Sequence, residues 1–154
     1  MALSDYIGRR ADIVAYFGDD PKKEVLLLAD LDQDQQGGQV CVGYKKVAQR
    51  FIVKLLTVRG SIPYRPKSGC DFMLGLQRGQ YRTSSDVYLA FGAAVALLRR
   101  EFAAEDTGLP SDEQFRNAKL SKTFFRDSTV VLYIDLTTQA GETAPLILPL
   151  NVSV

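Results

Sequence analysis

No histidine and no tryptophan occur anywhere in the 154 residues. Without an imidazole, Ser-His-Asp and Cys-His nucleophile arrangements and every His-containing metal site are excluded. Cysteine is almost as scarce. Cys41 and Cys70 are too few for a disulfide framework and too far apart for a CxxC motif, so they make at most one bridge. Two reduced thiols in a cytosolic chain are expected, because intracellular disulfides are rare. Charge of one sign is missing too: nineteen basic residues face eighteen acidic ones, for a formal net charge of +1. That balance argues against a dedicated nucleic-acid binder, whose phosphate contacts need a basic excess. There is no long apolar run. Asp5 and Asp12 interrupt the N-terminus, which lacks the apolar core of a secretion signal. Elsewhere the apolar stretches fall well short of the about 20 residues of a membrane span. A soluble chain made in the cytoplasm, with no membrane association, is the expectation.

What is present suits one domain of ordinary size, since domains commonly run to about 100–200 residues. The apolar share is 46% and the charged share 24%, near the averages for globular chains. From about Ala11 to Val42 the chain reads as short strands. ADIVAYF stops at Gly18-Asp19-Asp20-Pro21, and KEVLLLADL stops at the wholly polar Asp32–Gly38 tract, the expected tip of a mobile hairpin.

The middle of the chain is helical. Tyr44, Val47, Ala48, Phe51, Ile52, Leu55 and Leu56 recur at the spacing of an amphipathic stripe, with Lys45, Lys46, Gln49, Arg50 and Lys54 outside it. This helix should end near Arg59-Gly60, where glycine can take a left-handed cap. A loop with Pro63, Pro66 and Gly69 follows, and Asp71-Phe-Met-Leu can form a short helical turn. Ser84 or Ser85 is a suitable N-cap for a second long helix through DVYLAFGAAVALLRREF. Apolar residues lie nearly all round it from Val87 to Leu98. That pattern predicts burial on several sides, in the core or against a partner.

The C-terminal part predicts a hairpin. Val130, Leu132, Ile134 and Leu136 alternate with other residues, as do Leu146, Leu148, Leu150 and Val152, and Gln139–Glu142 links the two runs. Asn117–Phe125 fits either a third strand or the end of a helix opened at Ser111. Pro149 cannot donate to a ladder, which puts the last strand at a sheet edge. The expected architecture is α+β: a single domain with two main helices packed on a small antiparallel sheet ending in a C-terminal β-hairpin.

Candidate chemistry is sparse. Glu101, Glu105 and Asp106 cluster near the end of the second long helix, and a carboxylate pair can hydrolyse a glycosidic bond if one stays protonated. A solvated acidic helix end is the simpler expectation. Cys70, near Lys67 and preceded by Gly69, lacks a base to activate it and reads as a buried structural thiol. Gly37-Gly38 and Gly75…Gly79 do not match a phosphate-binding loop and read as turns. Arg59, Arg65, Lys67, Arg78 and Arg82, interleaved with Tyr64 and Tyr81, suit nucleic acid or a protein interface, and near-neutral total charge favours the protein interface. From Ala144 to Val154 there is no charge at all. An edge strand without charged blunting suits either pairing with another chain or burial in this domain. No catalytic residue, metal or cofactor is indicated.

The segment VAQRFIVKLLTVRGSIPYRPKSGCDFMLGL, residues 47–76, combines an amphipathic helix, Leu56-Thr57-x-x-Gly60, Pro66-x-x-Gly69 and a short apolar turn. It resembles the baseplate wedge family of contractile-tailed phages, which includes the sheath initiator of such tails, relatives in contractile injection machines and members described as lysozyme-like. The resemblance covers roughly residues 40–154. By it, residues 43–154 form the core and residues 1–42 are a lineage-specific addition. The family's Glu-Pro-Arg triplet after the second helix is absent, the nearest material being Leu109–Arg116.

The resemblance implies a non-enzymatic virion component of the tail baseplate, assembled in the host cytoplasm. Six copies around the tail axis would contact tail sheath, baseplate wedge, and tail tube or hub proteins, with no nucleic acid, membrane or cofactor. It assigns sheath binding by β-strand augmentation to Val130, Leu132, Ile134, Leu146, Leu148, Leu150 and Val152. Wedge contacts fall to Gly60, Tyr64, Arg65, Pro66 and Gly69. The alternatives it leaves are a lysozyme-like glycoside hydrolase and a neck or tail-completion protein.

Overall fold

The computed structural model describes residues 12–13, 40–126 and 128–152. Their order is β1 (Asp12–Ile13), β2 (Val40–Cys41), α1 (Tyr44–Leu56), α2 (Phe72–Gln77), α3 (Ser84–Glu105), a 3₁₀ turn at Ser111–Glu113, β3 (Phe115–Arg126), β4 (Thr129–Thr138) and β5 (Thr143–Asn151). β1 and β2 form a short antiparallel pair, Asp12 opposite Cys41 and Ile13 opposite Val40. The expected KEVLLLADL strand and the Asp32–Gly38 turn lie outside the described residues. β3, β4 and β5 form an antiparallel sheet in that order. The architecture is α+β, as the patterning predicts.

α1 buries Val47, Ala48, Phe51, Ile52 and Leu55 of the expected stripe, but Tyr44 is exposed, Leu56 is half-buried, and Lys46 and Lys54, expected outside it, are buried. It ends at Leu56, three residues before the predicted stop at Arg59, because Thr57 turns to extended backbone and its carbonyl accepts the Cys70 N–H at 2.9 Å. α3 begins one residue earlier than Ser84 or Ser85 would cap it. Thr83 is the N-cap: its hydroxyl accepts the Asp86 N–H, and the Asp86 carboxylate accepts the Thr83 N–H, a reciprocal capping box. Those hydrogen bonds hold the Asp86 carboxyl below its ordinary pKa.

Among the described residues α3 is buried on one side rather than several. Its buried stripe is Val87, Phe91, Ala94, Val95, Leu98 and Phe102, whereas Leu89 on the far face is 76% exposed. The undecided Asn117–Phe125 segment is strand, inside β3. Register shifts interrupt β3 between Phe115 and Asn117 and around Ser121. At Ser121 the hydroxyl donates to the Tyr133 carbonyl at 3.0 Å, and Ser121's own carbonyl accepts from the Tyr88 hydroxyl of α3 at 2.9 Å. The bulge is thereby tied to the helix above it.

The core lies between one sheet face and the helices. Alternate residues of β4 (Val130, Leu132, Ile134, Leu136) and of β5 (Ala144, Leu146, Leu148, Leu150) point inward, and register pairs Val130 with Leu150, Leu132 with Leu148 and Ile134 with Leu146. α3 lies along β3, and α1 crosses β4 and β5. A row of rings joins these layers: Phe102 on Phe115 at 4.6 Å, Phe115 on Phe51 at 5.4 Å, then Phe91, Phe72 and Tyr81 through contacts of 5.7–6.2 Å. Such aromatic pairs add about 0.5–1.5 kcal/mol each beyond their buried area. The row ties α1, α2, α3 and β3 into one body.

Candidate interaction surfaces

The loop of residues 57–70 is closed at its base and open at its tip. Its ends meet through the Cys70 N–H to Thr57 carbonyl bond. Between them Ser61 N–H donates to Val58, Arg65 N–H to Ile62 and Ser68 N–H to Arg65, each at 3.0–3.1 Å. Gly69 is buried with φ of +88°, and a Cβ there would run into the Thr57 carbonyl oxygen. Only glycine fits. Gly60 also has positive φ, +83°, but with open space around it. Tyr64, Arg65 and Pro66 are exposed, Tyr64 at 84%. Of the five predicted loop residues, Gly69 therefore builds the base, and the other four are displayed.

The hairpin residues assigned to sheath binding divide differently. Val130, Leu132, Ile134, Leu146, Leu148 and Leu150 all point into the core, and Val152 is half-buried against it. Their side chains are spent on folding, so contact with another chain along β5 would go through backbone. β5 pairs with β4 and stands at the edge of the three-stranded sheet among the described residues. Thr138 N–H donates to Glu142 and Val152 N–H to Ser128, so the even-numbered residues of β5 bond toward β4. Thr143, Pro145, Ile147, Pro149 and Asn151 direct their backbone away from it. Two of these five positions lack an N–H. The edge carries no charge, as expected, yet it is partly blunted by proline, at Pro145 as well as at Pro149. On the outer sheet face Ser121, Lys122, Phe124, Tyr133, Asp135, Pro145 and Ile147 line an open groove of about 370 Å³.

The acidic cluster is not a solvated helix end. Lys54 Nζ lies 2.9 Å from both Glu101 Oε2 and Glu105 Oε1, and Arg50 reaches Asp106 Oδ1 at 2.8 Å and Glu105 Oε2 at 3.3 Å. Arg50 and Lys54 also lie over the Phe102 ring. Asp106 Oδ2 accepts the Phe115 N–H at 2.7 Å, and Glu101 Oε2 accepts weakly from Ser68 and Gly69 at the base of the loop. A third tie pairs Lys46 with Glu113 at 3.0 Å, and Glu113 also accepts the Gly43 N–H. Lys46, Arg50 and Lys54 follow one another at i, i+4, i+8 on α1, and Glu101 and Glu105 at i, i+4 on α3. The spacing of each row is legible in the sequence, whereas their facing one another is a product of the fold.

Partial burial raises the Glu105 carboxyl, but hydrogen bonds and charges from Lys54 and Arg50 outweigh it and leave the group below its ordinary pKa. A glycosidase acid needs the reverse shift. Cys70 is a buried free thiol, and desolvation raises its pKa, the opposite of an activated nucleophile. Among the described residues, no three His, Cys, Asp or Glu side chains are grouped to hold a metal ion. Nor is any described helix long and apolar enough to cross a membrane.

Compared with known proteins, the chain matches no family model, no curated protein and no solved structure.

Proposed function

We propose that this chain is a non-enzymatic component of a contractile phage tail baseplate, joining wedge and tail tube to the first sheath ring and initiating sheath assembly. The carrying observation is the loop of residues 57–70. The residues of the resemblance, Gly60, Pro66 and Gly69, lie in a closed loop that displays Tyr64 and Arg65 while Gly69 fills a position no side chain could take. Preformed loops of this sort lose little entropy on docking, which suits an assembly part. The β5 edge supports the second half of the proposal. A strand arriving from sheath would meet the outward carbonyls of Thr143, Pro145, Pro149 and Asn151 and fewer donors, because of Pro145 and Pro149. The carboxylates that a lysozyme-like enzyme would need are instead ion-pair partners of α1.

A tagged pull-down of the full chain from cells assembling its particles tests the proposal, with electron microscopy of tails made when the gene is deleted. Recovery of sheath and wedge proteins, together with normal tubes lacking sheath in the deletion, is expected. Full-length sheaths in the deletion would refute it. Head-completion proteins in the pull-down would place the chain at the neck, and clearing of peptidoglycan by purified protein would restore the hydrolase.

A further inference from the structure

Two sets of cations in this chain contrast sharply. On α1, Lys46, Arg50 and Lys54 each meet a carboxylate within 3.0 Å. On the loop of residues 57–70, Arg59, Arg65 and Lys67 are all exposed, and the segment contains no acidic residue. None of these three has a carboxylate partner among the described residues, although the chain as a whole is almost neutral. Beside them stands Tyr64, the most exposed of the large apolar side chains among the described residues at 84%. A long aromatic side chain so little covered contributes nothing to the core. It stands on a rigid base, because the loop is closed by the Thr57–Cys70 hydrogen bond, turned three times by its own backbone and stiffened by Pro63 and Pro66. Compact surface loops with adjacent ends are frequently functional.

Tyrosine and arginine are the residues enriched in the buried centres of protein interfaces, where they provide much of the binding energy. A single-stranded nucleic acid would require several aromatic faces in series along a cationic groove. This loop has one.

We propose that the loop is a preformed docking knob for an acidic protein surface, with Tyr64 as its apolar anchor and Arg59, Arg65 and Lys67 as the charges that meet carboxylates of the partner. This deepens the proposed role of the loop in tail assembly and rests on that role only for the partner's identity. Gly60 and Gly69 are then parts of the scaffold rather than contacts.

The test uses the full chain in the cells that produce it, with Tyr64 replaced by the photo-cross-linking residue benzoylphenylalanine and the cross-linked peptides sequenced by mass spectrometry. A second version adds Arg59→Glu, Arg65→Glu and Lys67→Glu. A control carries Lys45→Glu, Arg99→Glu and Arg100→Glu, the same charge change at other exposed positions. Thermal melts establish that both sets fold as the parent does. The expected result is a cross-link to a protein segment with an excess of Asp and Glu, reduced at least about tenfold by the loop reversals and retained in the control, since close charge pairs dominate such contacts. The proposal is overturned by a cross-link to nucleic acid or to a segment without acidic excess, by a yield unaffected by the loop reversals, or by no cross-link. An acidic partner that is no tail component would uphold the knob and refute the tail assignment, so the two fail separately.

Discussion

Replacing Gly69 by alanine should destabilise the fold far more than the same change at Gly60, though both glycines have nearly the same positive φ, +88° and +83°. An L-residue in the left-handed region costs about 1–2 kcal/mol, and this term is common to both sites. So is the entropy that alanine removes from the unfolded chain, about 0.4–1 kcal/mol in the stabilising direction. Only at Gly69 does the new Cβ press on a fixed backbone oxygen, that of Thr57, which also accepts the Cys70 N–H closing the loop. Overpacking of this kind adds about 1–3 kcal/mol. The two variants should therefore differ by about 1–3 kcal/mol. For a chain of this size each kcal/mol moves the melting temperature by about 2–4 °C. Urea titrations followed by far-UV circular dichroism, with equal slopes, measure the difference directly. Equal midpoints for Gly69→Ala and Gly60→Ala would show that Gly69 is not held against Thr57 and would remove the rigid loop base.

Glu113→Gln should cost about 1–3 kcal/mol, because it takes the charge from a buried carboxylate that pairs with Lys46 and accepts the Gly43 N–H; an unchanged midpoint in the same urea titration would count against that pair. Glu105 predicts acid sensitivity. Its pKa is lower in the folded state, so its contribution is complete above the unfolded value of about 4.3 and is lost as pH falls through the lower folded value. Glu105→Gln should flatten the stability curve in that window, and an unchanged acid limb would contradict the tie to Lys54 and Arg50.

Much of the fold was legible because periodicity reports burial directly. The α1 stripe and the alternation of Val130–Leu136 with Leu146–Leu150 are facts about which side chains avoid water, and the structure buries those side chains apart from Tyr44 and Leu56 at the ends of the stripe. The local errors have local causes. Serines at 84 and 85 hid the better cap at Thr83, since capping depends on Asp86 three residues on reaching back. Gly60 predicts a stop near Arg59-Gly60 because glycine often ends helices, whereas a long-range bond from Cys70 to Thr57 accompanies the earlier end at Leu56. The ambivalence of residues 117–125 came from a bulge at Ser121 that breaks strict alternation.

By itself the sequence determined the absence of histidine chemistry, the α+β class, the two inward-facing strands of the hairpin and the glycines and prolines of the 57–70 loop. Tertiary structure decided what each group faces. It paired the acids of α3 with the cations of α1, directed Pro145 and Pro149 to the outer edge of β5, sealed Gly69 against Thr57 and left Tyr64 and three loop cations exposed. Periodicity is a property of one segment and can be read from that segment. A partner across the fold depends on how segments approach one another, and composition and spacing constrain that approach only loosely.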